Sequence, residues 1–266
     1  MDVLELAPFG VLVEGLQVGA LETADVDALR GLLGEHGVMV LPGQHDVGDA
    51  AFVAFLAAFG ELTFTQGETP VAGFPDLNIV SNVGRAAPPR SNFHVDTSYV
   101  ARPPAYTALR AVTVPERGGR TVFANQYRAY EALPVELRER LQDSTIRHVA
   151  TGVELSDDDE SAADHPVFRV HPLTGRTALY LTAPARCSAI SGLTQSETVE
   201  MVQLLLEHST RPETLYQHAW SPGDVVMWDN GCVLHRADHD GVIGDRVMHR
   251  GMSLGYAATP SGGHGG

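Results

Sequence analysis

The sequence predicts a single barrel-like β domain with a few helices inserted into it. Three observations carry this. Strand-like runs bounded by turn residues recur through the second half of the chain. Helical patterns are few and do not alternate regularly with strands, which disfavours a doubly wound α/β fold. The 266 residues are 44% hydrophobic, which supplies a sizeable core for one domain of this length. No repeat or interior linker divides the chain. Residues 1–258 therefore read as one domain, and 259–266, TPSGGHGG, as a flexible glycine-rich tail.

The elements follow in order. Residues 9–20 mix apolar and polar side chains with glycines and suggest one or two strands. A helix is expected over 23–36, with Thr23 as N-cap, Val26, Leu29, Leu32 and Leu33 at helical spacing, and Gly37 as the stop. VMVLPG (38–43) reads as a buried strand, and 50–59 as a second amphipathic helix closed by Gly60. Residues 61–93 are rich in Gly, Pro and Asn and read as loop around one short strand, 77–81; AAPPRSN (86–92) is turn-rich. Strands are expected at 93–100, 105–114 and 119–124, then a helix over 126–141. The acidic run 154–164 reads as an exposed loop, because it lacks the ligand spacing and central glycine of an EF-hand calcium loop. Strands at 167–171 and 177–182 precede a helix over 194–208, where Thr194 and Glu197 form a capping box. Strands at 216–220, 224–229, 232–237 and 248–256 complete the pattern.

Charge and cysteine usage narrow the function classes. The formal net charge is −15, so phosphate backbones and anionic lipid surfaces are repelled, and neither nucleic acid nor membrane is an expected partner. A small anionic ligand stays open, since a few arginines can make a local positive pocket. Cys187 and Cys232 do not form a disulfide framework. The first residues, MDVLELAPFG, lack the pattern of a secretory leader, and no apolar run approaches the roughly 18 residues of a membrane span. A cytoplasmic protein is expected.

Two segments bear the chemistry. In FHVDTSY (93–99), His94 and Asp96 are one residue apart, and on a strand both would project from one face toward a common cation. In MWDNGCVLHRADHD (227–240), His235 follows a strand and supplies a third donor. Two histidines and one carboxylate form the facial set that leaves open positions on non-haem Fe(II). Other readings of these residues stay open at this point. His94 and His235 are two of 12 histidines and could be satisfied core residues, and Asp96 could be a turn residue. His239 competes with His235, although a strand-to-loop path would carry it away. Cys232 beside His235 would suit zinc, but three positions along a strand put them on opposite faces.

RVMHRGMSLG (246–255) adds Arg246, eleven residues after His235. With Trp228-Asp229-Asn230 ahead of His235, this arrangement resembles the taurine dioxygenase and 2,4-dichlorophenoxyacetate dioxygenase family of Fe(II)/2-oxoglutarate enzymes. GGRTVFANQYRAYEALP (118–134), HPVFRVHPLTGRTALY (165–180), EHSTRPE (207–213) and SPGDVVMWDN (221–230) resemble family segments too, so the similarity runs from about residue 8 to residue 256. It implies a double-stranded β-helix, a cupin-like jelly roll. It implies that His94, Asp96 and His235 bind Fe(II), and that 2-oxoglutarate chelates the iron with its far carboxylate on Arg246 and Thr121. It further implies that O₂ takes the remaining position and that an aliphatic C–H is hydroxylated, with succinate and CO₂ as co-products. Asp96 disfavours halogenation, for which related enzymes replace this carboxylate by a small residue. A homo-oligomer is also implied.

The resemblance places Arg250 where taurine-type enzymes bind a sulfonate. This suggests a small anionic substrate, a carboxylate, sulfonate, sulfate ester or phosphonate; a structural ion pair is the other reading of Arg250. Asn92 and Tyr99 are further substrate candidates from their place beside the H-x-D motif. The histidine that touches sulfonate in the taurine enzyme has no counterpart in ELTFTQGETP (61–70), which argues against taurine itself; Arg90 is a second candidate cation. Two other classes remain for comparison. A non-catalytic metal-binding jelly roll would have no use for Arg246 and Thr121, and a zinc hydrolase would need a general base that the motifs do not supply.

Overall fold

The structure, a computed structural model, describes residues 1–85, 91–153 and 155–254. Arg90, the tail 259–266 and the end of the strand expected at 248–256 lie outside the described residues. Two β-sheets carry the site. The larger has nine strands, running from Asp2–Glu5 through Val11–Glu14, Val38–Leu41, Val225–Asp229, Pro104–Thr113 and Val247–Leu254 to Phe74–Ser81 and Pro70–Val71; Leu62–Thr63 also pairs with Val247–Leu254. The smaller orders Leu215–His218, Thr121–Asn125 and Val233–Ala237. All of these pairings are antiparallel except that of Val11–Glu14 with Val38–Leu41, which is parallel. The helix Thr23–His36 connects that pair, because parallel neighbours need a long crossover.

Alternation along Val225–Asp229 explains the layering. Val225 and Met227 pack with Leu29, Leu33, Phe52, Phe55 and Leu56 of the two N-terminal helices. Val226 and Trp228 point the other way, into a cluster with Phe123 and Val233 of the smaller sheet. Both faces of this central strand are buried, so it reads as a continuous apolar run. A third cluster lies under the helix Gln195–Ser209, whose Thr194–Glu197 capping box forms as expected.

Several expectations need correction. The H-x-D segment 93–100 is not a strand. His94 makes a single antiparallel bridge to His235, and the chain then turns through Thr97, whose φ is +45°. The helix expected over 126–141 is two, Gln126–Glu131 and Val135–Leu141, broken where Pro134 has no backbone N–H to donate. Glu22, not Thr23, is the N-cap of the first helix, in a reciprocal box with Asp25. Among the described residues, the region 61–93 contains three strands instead of one, and strands at Asp2–Glu5, Thr145–Val149, Ala162–Pro166 and Cys187–Ile190 went unanticipated. The unanticipated pieces are two to five residues long, too short for local periodicity to mark them.

Candidate metal centre

Backbone pairing brings the two histidines together. The amide of His94 donates to the carbonyl of His235 at 3.0 Å, and that of His235 returns the bond at 3.1 Å. His235 is also in register with Phe123 on the smaller sheet. The imidazole rings stand 4.3 Å apart. The turn after Val95 then swings Asp96 between them: its carboxylate lies 3.6 Å from His94 Nε2 and 3.5 Å from His235 Nε2. One donor atom from each of the three residues falls within 4.8 Å of the other two. Among the described residues this is the one such group of three or more, and His239 and Cys232 are not in it. Cys232 is buried elsewhere, with its sulfur near Gly37.

The donors fit a divalent cation. Ligand atoms around one ion at roughly 2.0–2.2 Å must sit about 3 Å or slightly more apart, and these nearly do. Nδ1 of His94 donates to the carbonyl of Asn92 at 2.7 Å, which leaves Nε2 as the bare nitrogen facing Asp96. Burial holds the imidazole of His235 neutral by lowering its pKa to about 3, although Asp96 works in the other direction. Burial would raise the carboxyl of Asp96, but Arg250, His235 and His94 outweigh it and hold the group well below the usual carboxylate range. Two imidazole nitrogens and one carboxylate are the donors that Fe(II) takes.

Sequence motifs away from the triad turn out to be its supports. Thr107 Oγ1 donates to Asp96 at 2.8 Å and in turn accepts from Asn230 Nδ2 at 2.8 Å. Asn230 is held by Trp228 Nε1 at 3.2 Å, so the Trp-Asp-Asn segment anchors the carboxylate ligand. His171 Nε2 donates to Asp229 at 2.9 Å, and His165 Nε2 donates to the carbonyl of Ser98 at 2.7 Å, pinning the turn that carries Asp96. Thr107 was missed in the sequence because it acts from a strand eleven residues past Asp96 with no motif of its own.

A cavity of about 100 Å³ adjoins the triad, lined by His94, His235, Thr121, Trp228, Arg246 and Arg250 among others. Arg246 is 1% exposed. Its Nε donates to the carbonyl of Gly119 at 2.8 Å and its Nη2 to Thr121 Oγ1 at 3.3 Å, while Nη1 is buried without a protein partner. Gly119 is required here. Its φ is +69°, and a Cβ would lie 3.0 Å from Arg246 Cδ. Thr121 also accepts from Trp220 Nε1 at 3.1 Å. Burial lowers the guanidinium pKa to about 10, so it stays cationic at neutral pH. A buried cation with one unsatisfied donor edge can accept a carboxylate in a charge-assisted hydrogen bond.

Arg250 is differently placed. Nε donates to Asn78 at 3.0 Å, Nη1 to Asp96 at 3.1 Å, and Nη2 to the carboxylate of Glu68. Tyr99 is buried and lines a neighbouring cleft of about 310 Å³ with Phe64, Thr97, Arg102, Leu155 and Asp159. The side chain of Asn92 is exposed, and its recorded contact with the centre is the backbone carbonyl on His94.

Comparison with known proteins agrees with this geometry. The model of the "Taurine catabolism dioxygenase TauD, TfdA family" matches residues 2–252. The chain is 33% identical over 267 residues to an alpha-ketoglutarate-dependent 2,4-dichlorophenoxyacetate dioxygenase of Cupriavidus pinatubonensis, covering 90% of this chain and 92% of that one. It is 28% identical to an (S)-phenoxypropionate/alpha-ketoglutarate-dioxygenase of Sphingobium herbicidovorans, covering 95% and 94%. Its fold superposes on a taurine dioxygenase from Burkholderia xenovorans with a TM-score of 0.85 at 31% identity, over 97% of this chain and 92% of the other.

Proposed function

This chain belongs to the taurine catabolism dioxygenase TauD, TfdA family, and we propose how its residues serve an Fe(II)- and 2-oxoglutarate-dependent dioxygenase reaction. Iron with 2-oxoglutarate supplies the chemistry, which couples decarboxylation to succinate and CO₂ with oxygenation of the substrate. His94, Asp96 and His235 hold the metal. Arg246 receives the far carboxylate of 2-oxoglutarate on its free Nη1 edge, and Thr121 adds a hydroxyl beside it. One observation carries this reading: Arg246, a buried guanidinium with an unsatisfied edge, lines the same small cavity as the donor histidines His94 and His235. A non-catalytic metal holder has no need of that cation.

The remaining groups position and exclude. Thr107 and Asn230 fix the Asp96 carboxylate so that it approaches the metal without rearrangement. Trp228, Val80 and Leu109 wall the cavity with apolar surface that displaces water. The two facing sheets, with the donors between them, support a double-stranded β-helix over a single domain spanning 1–258. The substrate is a small anionic molecule whose aliphatic C–H is hydroxylated, with C–X cleavage following where the product is unstable. The phenoxy acids named for two relatives support that class. Arg250, Tyr99 and the cleft beside them are its binding region.

Anaerobic titration of the protein with Fe(II) and 2-oxoglutarate tests the assignment. A weak visible charge-transfer band is expected in the wild type and none in His94→Ala. Absence of the band in the wild type, or its survival in the variant, refutes it. Succinate release across carboxylates, sulfonates, sulfate esters and phosphonates then identifies the substrate.

A further inference from the structure

Arg250 has little left to offer an incoming anion. Its Nε bonds Asn78, its Nη1 bonds Asp96, and its Nη2 reaches both Glu68 and, at 3.5 Å, Thr65 Oγ1. Two carboxylates thus face one guanidinium. They differ in their freedom to leave. The Asp96 side chain is 4% exposed, is bonded to Thr107 and belongs to the metal donors. The Glu68 side chain is 31% exposed and projects from the short stretch between the strands Leu62–Thr63 and Pro70–Val71. It can rotate into water at small desolvation cost, whereas Asp96 cannot. Once a metal takes up the charge of Asp96, Arg250 and Glu68 form a neutral pair.

From this geometry we propose that Glu68 is the specificity-determining residue of the substrate site, an internal carboxylate that occupies the outward edge of Arg250 and must be exchanged for the substrate's own anionic group. The inference rests on the dioxygenase reading for the word "substrate", but the pair itself does not depend on it. The exchange keeps the charge balance: one anion leaves the guanidinium as another arrives, and Glu68 passes to solvent. Small hydrated anions gain little from such a swap. A substrate gains if it also fills the adjoining cleft, where Phe64, Leu155, Val100 and Pro104 offer apolar contact. Selectivity therefore comes from requiring both the anion and an apolar body of matching shape. Thr65 and Thr97 connect the two parts, with their hydroxyls 2.9 Å apart.

Inorganic sulfate is the probe, titrated calorimetrically into the full chain held anaerobically with Fe(II) and saturating 2-oxoglutarate, which keeps Arg246 occupied. Wild-type protein should bind sulfate weakly. Glu68→Gln should bind it at least about tenfold more tightly, the scale of one charge-assisted bond released from internal competition. Adding Arg250→Leu to Glu68→Gln should abolish that gain. Equal affinity in wild type and Glu68→Gln, including no binding by either, overturns the proposal, as does a gain that survives loss of Arg250. The visible iron chelate band, read in the same samples, separates the two ideas. A missing band in the wild type refutes the dioxygenase assignment, while a normal band with unchanged sulfate affinity refutes the role of Glu68 alone.

Discussion

Replacing Arg246 tests the proposed co-substrate site most directly. The wild-type guanidinium is fixed by Gly119 and Thr121, is 1% exposed, and keeps one nitrogen unpaired. A hydrogen bond to a charged group contributes about 1.5–3 kcal/mol, and each 1.4 kcal/mol is tenfold in affinity. Arg246→Gln removes the charge and should weaken 2-oxoglutarate about 10- to 150-fold. Arg246→Lys keeps a charge but loses the planar fork, so its loss should fall between wild type and Arg246→Gln. The ligand-free variant should not be less stable on this account, because the guanidinium it removes is a buried cation without a countercharge on Nη1. Thermal unfolding separates the two effects. At saturating 2-oxoglutarate the wild type should gain stability by mass action, about 2.7 kcal/mol at a hundred times Kd, and Arg246→Gln should gain far less at the same concentration. The assay is the anaerobic chelate band titrated with 2-oxoglutarate. If Arg246→Gln still binds iron and 2-oxoglutarate within about threefold of wild type, Arg246 is not the carboxylate site.

Three further outcomes follow from particular contacts. Gly251→Ala would drive a Cβ into Leu56 Cδ1 and put it 2.8 Å from Leu77 Cδ2, so it should cost about 1–3 kcal/mol in urea denaturation; an unchanged midpoint would show that the helix over this strand yields freely. Burial lowers the pKa of His148 to about 3, so the unfolded chain takes up a proton that the folded chain refuses. Its contribution is intact above about pH 6.5 and is lost as pH falls from there toward 3, at up to about 1.4 kcal/mol per pH unit, so His148→Phe should flatten the acid limb of stability against pH. Cys232→Ala should leave iron stoichiometry unchanged, because the thiol packs by Gly37 and is not among the three donors; loss of metal on this substitution would revive the zinc reading.

Much of the candidate site was legible in the sequence, from the local H-x-D spacing and from the resemblance of the Arg246 and Thr121 segments to those of the family. His94 and Asp96 are one residue apart, Arg246 follows His235 by eleven, and Thr121 sits in a glycine-flanked segment. The strand at Val225–Asp229 and the Thr194–Glu197 cap were equally readable, since each depends on neighbours a few positions away. The H-x-D geometry was not. Strand alternation suggested two ligands on one face, yet Asp96 reaches its place through a turn at Thr97 that is held by His165 from 67 residues away.

Residue types and their order therefore determined which chemistry the chain is equipped for: two imidazoles, one carboxylate and a distant guanidinium. The tertiary structure alone decided which of those groups are free to act. It left one edge of Arg246 open and closed Arg250 with Glu68, a partner 182 residues earlier. No local pattern encodes such a pair. Its formation depends on the register of Val247–Leu254 against its neighbouring strands, which is set by burial over the whole sheet and not by the residues beside Arg250.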